Sequence, residues 1–215
     1  MNNLLIFILS FYFCLISVLA YGNLFQKVFL DKKIISDNIS IYTGFYGLMF
    51  LTLISLFTSY FIQHNFYHNV ILHGFGFFYF FFSKFKKNFI FYKHVFYISI
   101  FLISVLLISK THDDFSYYHF PFTKFLTENH IIFGMGHLNL GYNFLSSLFF
   151  LNSTFYLPYI GLYSFHFSAI FFLIFFNYFL LKQIFSINTH QFFKYFYLLT
   201  FMFFNVSFNR LAEFG

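Results

Sequence analysis

Long, nearly unbroken stretches of apolar residues make up most of this chain, and short polar segments separate them. A helix that crosses the ~30 Å hydrocarbon core of a bilayer needs about 20 predominantly apolar residues. The pattern predicts an all-α, polytopic transmembrane helix bundle with about six spans. The six stretches are Leu4–Phe25, Tyr42–Ile62, Tyr67–Phe82, Phe89–Ser109, Ile160–Leu181 and Phe192–Phe208.

The third stretch, Tyr67–Phe82, is the least regular of the six. It is short, and it carries the polar residues His68, Asn69 and His73. Polar and ionisable side chains inside a membrane are costly, and they usually face other protein groups or a water-filled cavity. A re-entrant or tilted segment is therefore the alternative to a full crossing at this position.

The positive charges alternate between successive loops, which favours keeping the third crossing. Cytoplasmic loops carry the excess of Lys and Arg in membrane proteins. The alternation predicts six crossings, with both chain ends outside the cytoplasm. The predicted cytoplasmic side holds Lys27, Lys32, Lys33, Lys84, Lys86, Lys87, Lys93, Lys182 and Lys194, whereas the outer side holds Lys110, Lys124 and Arg210.

Composition narrows the class of protein further. Hydrophobic residues make up 60% of the 215 residues and charged residues only 8%, which excludes both a well-solvated soluble surface and a disordered chain. The single cysteine, Cys14, excludes an intramolecular disulfide and a cysteine-based zinc site. The net charge of +6 follows from the lysine-rich short loops, so we expect no nucleic-acid partner.

The loop between the fourth and fifth stretches holds half of the six acidic residues. Asp113 and Asp114 directly follow the fourth stretch, and the topology places them on the outer face of the membrane. Further along, Phe122, Phe125 and Leu126 form an apolar stripe of helical spacing behind a proline. This pattern predicts a short amphipathic helix over Pro121–Asn129 that lies in the membrane interface.

Paired carboxylates at a membrane surface permit two kinds of chemistry. One of Asp113 and Asp114 could accept a proton from an attacking hydroxyl as a general base. Together they could hold a divalent cation that neutralises a phosphate leaving group. His112 and His119 could take part in either scheme. The alternative is a structural role in which the acids cap the following helix at its solvated end.

Two further groups are weaker candidates. Arg210 and Glu213 lie three residues apart after the last stretch. They could form a surface ion pair, or Arg210 could bind a phosphate at the same outer site as Asp113. His64 and His68 have the i, i+4 spacing that could bind a metal ion on a helix. The segment around these histidines, however, predicts an external turn, and no third ligand is evident.

From the fourth stretch onward, the sequence resembles the GT-C superfamily of membrane glycosyltransferases, which includes the protein O-mannosyltransferases and the lipid A aminoarabinose transferase. The shared order is a helix that leaves the cytoplasm, an acidic motif at the start of an outer loop, and interfacial helices. Residues 113–121, together with residues 134–139, are also similar to bacterial members associated with envelope polysaccharide synthesis. The resemblance covers Phe89–Gly215, after three spans in residues 1–88.

The resemblance implies that Asp113 or Asp114 is the base that activates an acceptor hydroxyl. It also implies that the donor is a sugar on a polyprenyl phosphate, which reaches the site laterally from the membrane lipid. From their positions in the sequence, His112, His119, Arg210 and Glu213 are the expected substrate-binding residues. The acids are adjacent here, whereas the family pattern separates them by one residue. The later helices of the family do not follow, so we expect the sequence to be an N-terminal fragment.

Two other classes of protein remain open. A polysaccharide polymerase or lipid-linked glycan translocase would also have many spans, but such polymerases usually depend on outer-loop arginines, and Arg210 is the single arginine of this sequence. A non-enzymatic membrane component or a transporter is the other alternative. No Asp, Glu or Arg falls in the middle of a predicted span, which argues against an ion-coupled transporter.

Overall fold

The structure, a computed structural model, describes residues 2–30, 39–82, 89–106, 115–137, 140–143, 146–157 and 159–211. These ranges contain eight α-helices and no strand, which confirms the all-helical fold. Short 3₁₀ or π-helical turns connect several of them. The helices are α1 (Asn2–Phe29), α2 (Thr43–Ser59), α3 (Phe66–Phe82), α4 (Phe89–Leu106), α5 (Phe120–Glu128), α6 (Ser147–Thr154), α7 (Phe167–Phe185) and α8 (Gln191–Leu211).

Two segments are long and apolar enough to cross a membrane, judged by length and composition. They are Asn3–Phe29 in α1, and Ser164–Phe185, which comprises α7 and the turn before it. Helix α3 has 17 residues and is therefore about 25 Å long, somewhat less than the hydrocarbon core. Six crossings thus stay a prediction, although each predicted stretch overlaps one of the long helices.

Helix α1 forms the centre of the main apolar core. Its side chains Phe11, Cys14 and Val18 are completely buried. Helices α2 and α3 pack against it. The ring of Phe11 also contacts Phe167 and Phe171 of α7, with centroid distances of 5.4 and 5.2 Å. The buried phenylalanines therefore fill the space between these helices, with offset and edge-to-face ring contacts.

Helices α1 and α2 approach each other most closely at two glycines. A Cβ atom on Gly22 would lie 1.9 Å from the carbonyl oxygen of Thr43, and one on Gly47 would lie 2.0 Å from the carbonyl oxygen of Val18. Both obstacles are backbone atoms, which cannot move aside as a side-chain end can. Small residues are common at such helix contacts because they allow backbones to pack directly together.

We expect Gly47→Ala to destabilise the protein by about 1–3 kcal/mol, because the added methyl group overpacks the contact between α1 and α2. Gly74→Ala in α3 is the matched control, since a Cβ there meets no atom within 4 Å. Alanine is the better helix former, so the control should change stability by less than about 1 kcal/mol, in the stabilising direction. Thermal unfolding in detergent measures both. Equal stability losses would contradict the close helix contact.

Helix α8 packs along α7 and shares one polar contact with it. The amide of Asn177 donates to Asn205 Oδ1 at 2.9 Å, and the amide of Asn205 donates back to Asn177 Oδ1 at 2.8 Å. Asn205 Nδ2 also donates to the carbonyl of Phe201. Paired in this way, the two amides satisfy each other between otherwise apolar helix faces.

The predicted interfacial helix corresponds to α5, but its apolar stripe contacts protein. Phe122 and Leu126 are each 1% exposed and belong to a second buried cluster. The ring of Phe122 lies 5.9 Å from that of Phe149 and 5.7 Å from that of Phe150, both in α6. Helix α6 therefore covers the apolar stripe of α5, and the location of α5 in the membrane interface stays a prediction.

Helix α6 is short and lies inside the bundle. Its residues from Phe149 onward are buried, and it packs against α2, α5 and α7. The ring of Phe155, just after its end, stacks on His73 of α3 and lies against Phe171 of α7. The segment between the fourth and fifth predicted spans therefore enters the protein core. In a membrane protein, backbone that does not cross the bilayer is tolerated at membrane depth when protein encloses it.

Candidate functional site

The C-terminal end of α6 exposes backbone carbonyls to the bundle interior. The last four carbonyls of a helix have no partner within that helix, so a buried end needs donors from elsewhere. Asn69 of α3 supplies them, with Nδ2 2.9 Å from the carbonyl oxygens of Ser153 and Tyr156 and 2.9 Å from that of His64. His68 Nδ1 donates to Asn69 Oδ1 at 2.9 Å and orients the amide.

His73 supplies a second donor to the same helix end. Its Nε2 donates to the carbonyl of Thr154 at 3.1 Å, and its Nδ1 accepts from the Ser17 hydroxyl of α1 at 3.1 Å. Both Asn69 and His73 are completely buried. Two of the three polar residues that make the third stretch irregular, Asn69 and His73, therefore bind the backbone at the end of α6.

His64 joins this network from the segment between α2 and α3. Its Nδ1 lies 2.6 Å from Ser153 Oγ, and its Nε2 lies 3.0 Å from Thr58 Oγ1. The Ser153 hydroxyl donates to the carbonyl of Phe150, and the Thr58 hydroxyl donates to the carbonyl of Ser55, so a hydroxyl oxygen faces each ring nitrogen of His64. The predicted external turn is wrong at His64, which is completely buried beside the end of α6.

The ring of His64 stacks on that of His68 at 4.8 Å, as their spacing suggested. Both nitrogens of His64 are engaged by hydroxyl groups, and His68 Nδ1 by Asn69. Within the described ranges, no group of three or more His, Cys, Asp and Glu side chains could hold a metal ion. The contacts of this histidine pair are therefore those of a structural network.

Burial, together with the neighbouring His68, lowers the pKa of His64 from its ordinary value of 6.5 to about 3. Below pH 6.5 the unfolded chain binds a proton that the folded state does not, so stability falls as the pH drops from 6.5 toward 3. Between pH 7.5 and pH 4.5 we expect the unfolding temperature of His64→Gln to fall less than that of the wild type. His137 is exposed, so the unfolding temperature of His137→Gln should fall as much as that of the wild type. Equal falls in the unfolding temperature of all three proteins would mean that His64 does not cause the loss of stability at low pH.

A cavity of about 560 Å³ lies between α2, α6 and α7. Its wall is mostly apolar, as is typical of small-molecule sites, with a few polar groups. Leu148, Met49 and Phe172 on its rim are 55%, 44% and 47% exposed, so the cavity opens on the side of the bundle. The lining residues are Phe45, Leu48, Met49, Thr52, His119, Ser146, Leu148, Phe149, Leu151, Asn152, Phe165, Ser168, Ala169 and Phe172.

The π-helical turn Phe115–His119 brings His119 to this cavity. Phe115 is buried, and its ring stacks on that of His166 at 5.6 Å, in the turn before α7. The His119 ring lies 4.9 Å from that of Phe149 in α6. Single π-helical turns next to α-helices are rare and often occur at functional sites. Here the turn anchors the end of the acidic loop at the cavity.

Of the predicted site residues, His119 is the one that the structure places in the cavity wall. His112, Asp113, Asp114 and Glu213 lie outside the described residues. Arg210 lies in the last turn of α8, and its side chain is outside the described part as well. Phe115, which directly follows Asp114 in the sequence, contacts the turn before α7. The functional roles of the acidic pair therefore stay predictions.

Sequence reasoning missed Asn152 and Ser168, two polar residues of the cavity wall. The Ser168 hydroxyl of α7 donates to Asn152 Oδ1 of α6 in a short hydrogen bond. The available signal was the polar triplet Asn152–Thr154 within an otherwise apolar run. Such a triplet indicates polar contacts inside the bundle, but it does not identify their partners.

Residues 4–213 match the model of a family described as a domain of unknown function, DUF8201. The chain belongs to this family. No curated protein and no solved structure matches the chain. The DUF8201 match extends from α1 through α8, so both the cavity and the polar network around α6 belong to the family domain.

Proposed function

We propose that this DUF8201 protein is an integral-membrane glycosyltransferase. It moves a sugar from a polyprenyl-phosphate donor to an envelope acceptor on the outer face of a bacterial inner membrane. The observation that carries this proposal is the apolar cavity that opens sideways between α2 and α7, with His119 in its wall. His119 ends the turn that begins directly after the acidic pair.

The outer surface of the bundle supports a location within the membrane. Large apolar side chains on five different helices are 61–80% exposed, and soluble proteins rarely expose so much apolar surface together. Two segments have the length and composition of membrane spans. With six crossings and lysine-rich cytoplasmic loops, Asp113 and Asp114 lie on the periplasmic side. The exposed residues include Leu9, Phe57, Phe78, Phe101 and Phe203.

The lateral opening suits a lipid-linked donor. A polyprenyl chain lies within the bilayer, so its route to a site inside the bundle passes between helices. Met49 of α2 and Phe172 of α7 form part of the cavity wall and of the outer surface at once. The donor's chain can therefore contact the apolar wall while its phosphate lies toward the polar residues of the cavity.

The proposed reaction assigns the chemistry to the acidic pair. Asp113 or Asp114 takes the proton of the acceptor hydroxyl, whose oxygen then forms a bond to the anomeric carbon of the sugar. The bond from that carbon to the phosphate oxygen breaks, and the polyprenyl phosphate leaves with the electron pair. His112, His119, Arg210 and Glu213 are the proposed substrate contacts. The carboxylates could also hold a divalent cation that offsets the phosphate charge.

Donor consumption by the purified protein tests this function. The protein is reconstituted in lipid nanodiscs with the polyprenyl-phosphate sugars and the envelope glycans extracted from its source membranes, and mass spectrometry follows the lipids. We expect free polyprenyl phosphate and a glycan heavier by one sugar. Lengthened lipid-linked glycans would indicate a polymerase instead. Unchanged lipids and glycans would contradict a transferase.

A further inference from the structure

The side chain of Asn152 occupies an unusual position in the cavity wall. It lies in α6 and is 6% exposed, and its Oδ1 accepts the hydroxyl hydrogen of Ser168. This bond joins α6 to α7 and fixes the orientation of the amide. The nitrogen Nδ2 is the other end of that amide, so its direction is fixed as well.

In the part of the chain that the structure describes, Nδ2 of Asn152 has no protein partner, unlike the amides of Asn69 and Asn177. Every described side-chain nitrogen or oxygen that is fully enclosed does have a partner. Nδ2 is therefore accessible from the cavity, whose wall includes Asn152. An amide donor inside a largely apolar site provides specificity for an oxygen atom of the occupant.

We propose that Asn152 binds the phosphate group of a lipid whose apolar chain occupies the cavity between α2, α6 and α7. Asn152 Nδ2 donates a hydrogen bond to a phosphate oxygen, and Ser168 holds the amide in place. This inference rests on the proposed function in taking a lipid-linked phosphate as the ligand. It adds a binding residue that lies in α6, outside the acidic loop.

The wall residues explain why the ligand is a lipid phosphate and not a free phosphate. Phe45, Leu48, Met49 and Phe172 present carbon surface to the occupant. A free phosphate ion would leave this surface wet and would lose its own hydration without compensation. A chain of isoprene units covers the apolar wall, and its phosphate then lies at the hydrogen-bonding groups.

Asn152→Asp is the most direct test, because aspartate has nearly the same shape and can still accept the Ser168 hydrogen bond. The variant loses the amide donor and adds negative charge. Binding is measured with the full chain in nanodiscs and geranylgeranyl phosphate as the probe, by isothermal titration calorimetry. We expect the dissociation constant to rise at least tenfold, as for loss of a hydrogen bond to a charged group.

Three comparisons make this test specific. Asn129→Asp makes the same change at an exposed position after α5, and it should bind the probe as the wild type does. Geranylgeraniol carries a hydroxyl that can donate to the new carboxylate, so Asn152→Asp should not weaken its binding. Inorganic phosphate should bind the wild type at least a hundredfold more weakly than the lipid phosphate.

Wild-type affinity for geranylgeranyl phosphate in Asn152→Asp would overturn the proposal, and so would equal weakening in Asn129→Asp. Inorganic phosphate as a ligand of equal strength would also overturn it. If Asn152→Asp does not fold, Asn152→Ser answers the same question, because serine keeps a hydroxyl for Ser168 but is too short to reach the phosphate. The same weakening is expected in that variant, and wild-type affinity would again overturn the proposal.

Binding and transfer can fail separately. If the lipid phosphate binds through Asn152 but no donor is consumed, the glycosyltransferase function fails and the binding site stands. If the wild type transfers sugar and the Asn152 variants bind the probe normally, the function stands and this site is wrong.

Discussion

Replacing Asp113 and Asp114 together with asparagine will lower sugar transfer by about 10²–10⁴-fold, the usual contribution of a general base. Asparagine keeps the size of each side chain but cannot take the proton of the acceptor hydroxyl. The amount of protein in the membrane should not change, because the substitution removes charge without adding bulk. Donor consumption in nanodiscs measures the effect directly, and envelope glycans from cells that make only the variant measure it in vivo.

Single variants will show which carboxylate acts as the base, since the two acids are adjacent in the sequence. Glu128→Gln is the matched control. Its carboxylate lies at the exposed end of α5, with Lys124 3.7 Å away, and such surface pairs contribute little. We expect the control to transfer sugar within about twofold of the wild type. Sugar transfer at the wild-type rate by the variant that carries both Asp113→Asn and Asp114→Asn would mean that neither acid is the base.

Asn69→Leu will lower the free energy of unfolding by about 3–5 kcal/mol. The substitution removes the donor that serves the carbonyls of His64, Ser153 and Tyr156. Each buried polar group left without a partner costs about 1–3 kcal/mol. Leucine is close to asparagine in size, so the effect comes from lost hydrogen bonds and not from a cavity. For a chain of this length the change corresponds to roughly 6–20 °C in the unfolding temperature.

The unfolding temperature in detergent, followed by tyrosine fluorescence, measures this effect. Asn129→Leu provides the comparison, since Asn129 is exposed and the same substitution there removes no buried donor. It should change the unfolding temperature by less than about 2 °C. A similarly small shift for Asn69→Leu would show that the end of α6 does not depend on this amide.

The sequence predicted those parts of the fold that depend on local pattern. Long apolar runs correspond to α1 and α7, and the proline-led stripe corresponds to α5 within one residue at each end. In α3 the polar residues made the local pattern indicate only a weak span. Those residues have hydrogen-bond partners far along the chain, which a local pattern does not contain. Asn69 bonds to a residue 84 positions away and His73 to one 81 positions away. Periodicity carries no information about such pairs.

The short helix α6 explains the other differences. With eight residues it is much shorter than a membrane span, and its sequence has no marked polar face. The sequence therefore did not predict a protein partner for the apolar stripe of α5, or a cavity wall that contains Asn152. His119 was found because it lies near the acidic pair in the sequence. Asn152 and Ser168 meet only through the packing of α6 on α7.

The reciprocal amide pair between Asn177 and Asn205 also fixes the axial register of α8. Sliding α8 by one residue along α7 would separate the amides by about 1.5 Å, and rotation of α8 would turn Asn205 away from Asn177. Apolar helix faces alone resist such sliding weakly, because neighbouring registers offer similar surfaces. Arg210 follows Asn205 by five residues, about 7.5 Å along the same helix. The pair therefore sets the position of the Arg210 backbone along the axis of α7.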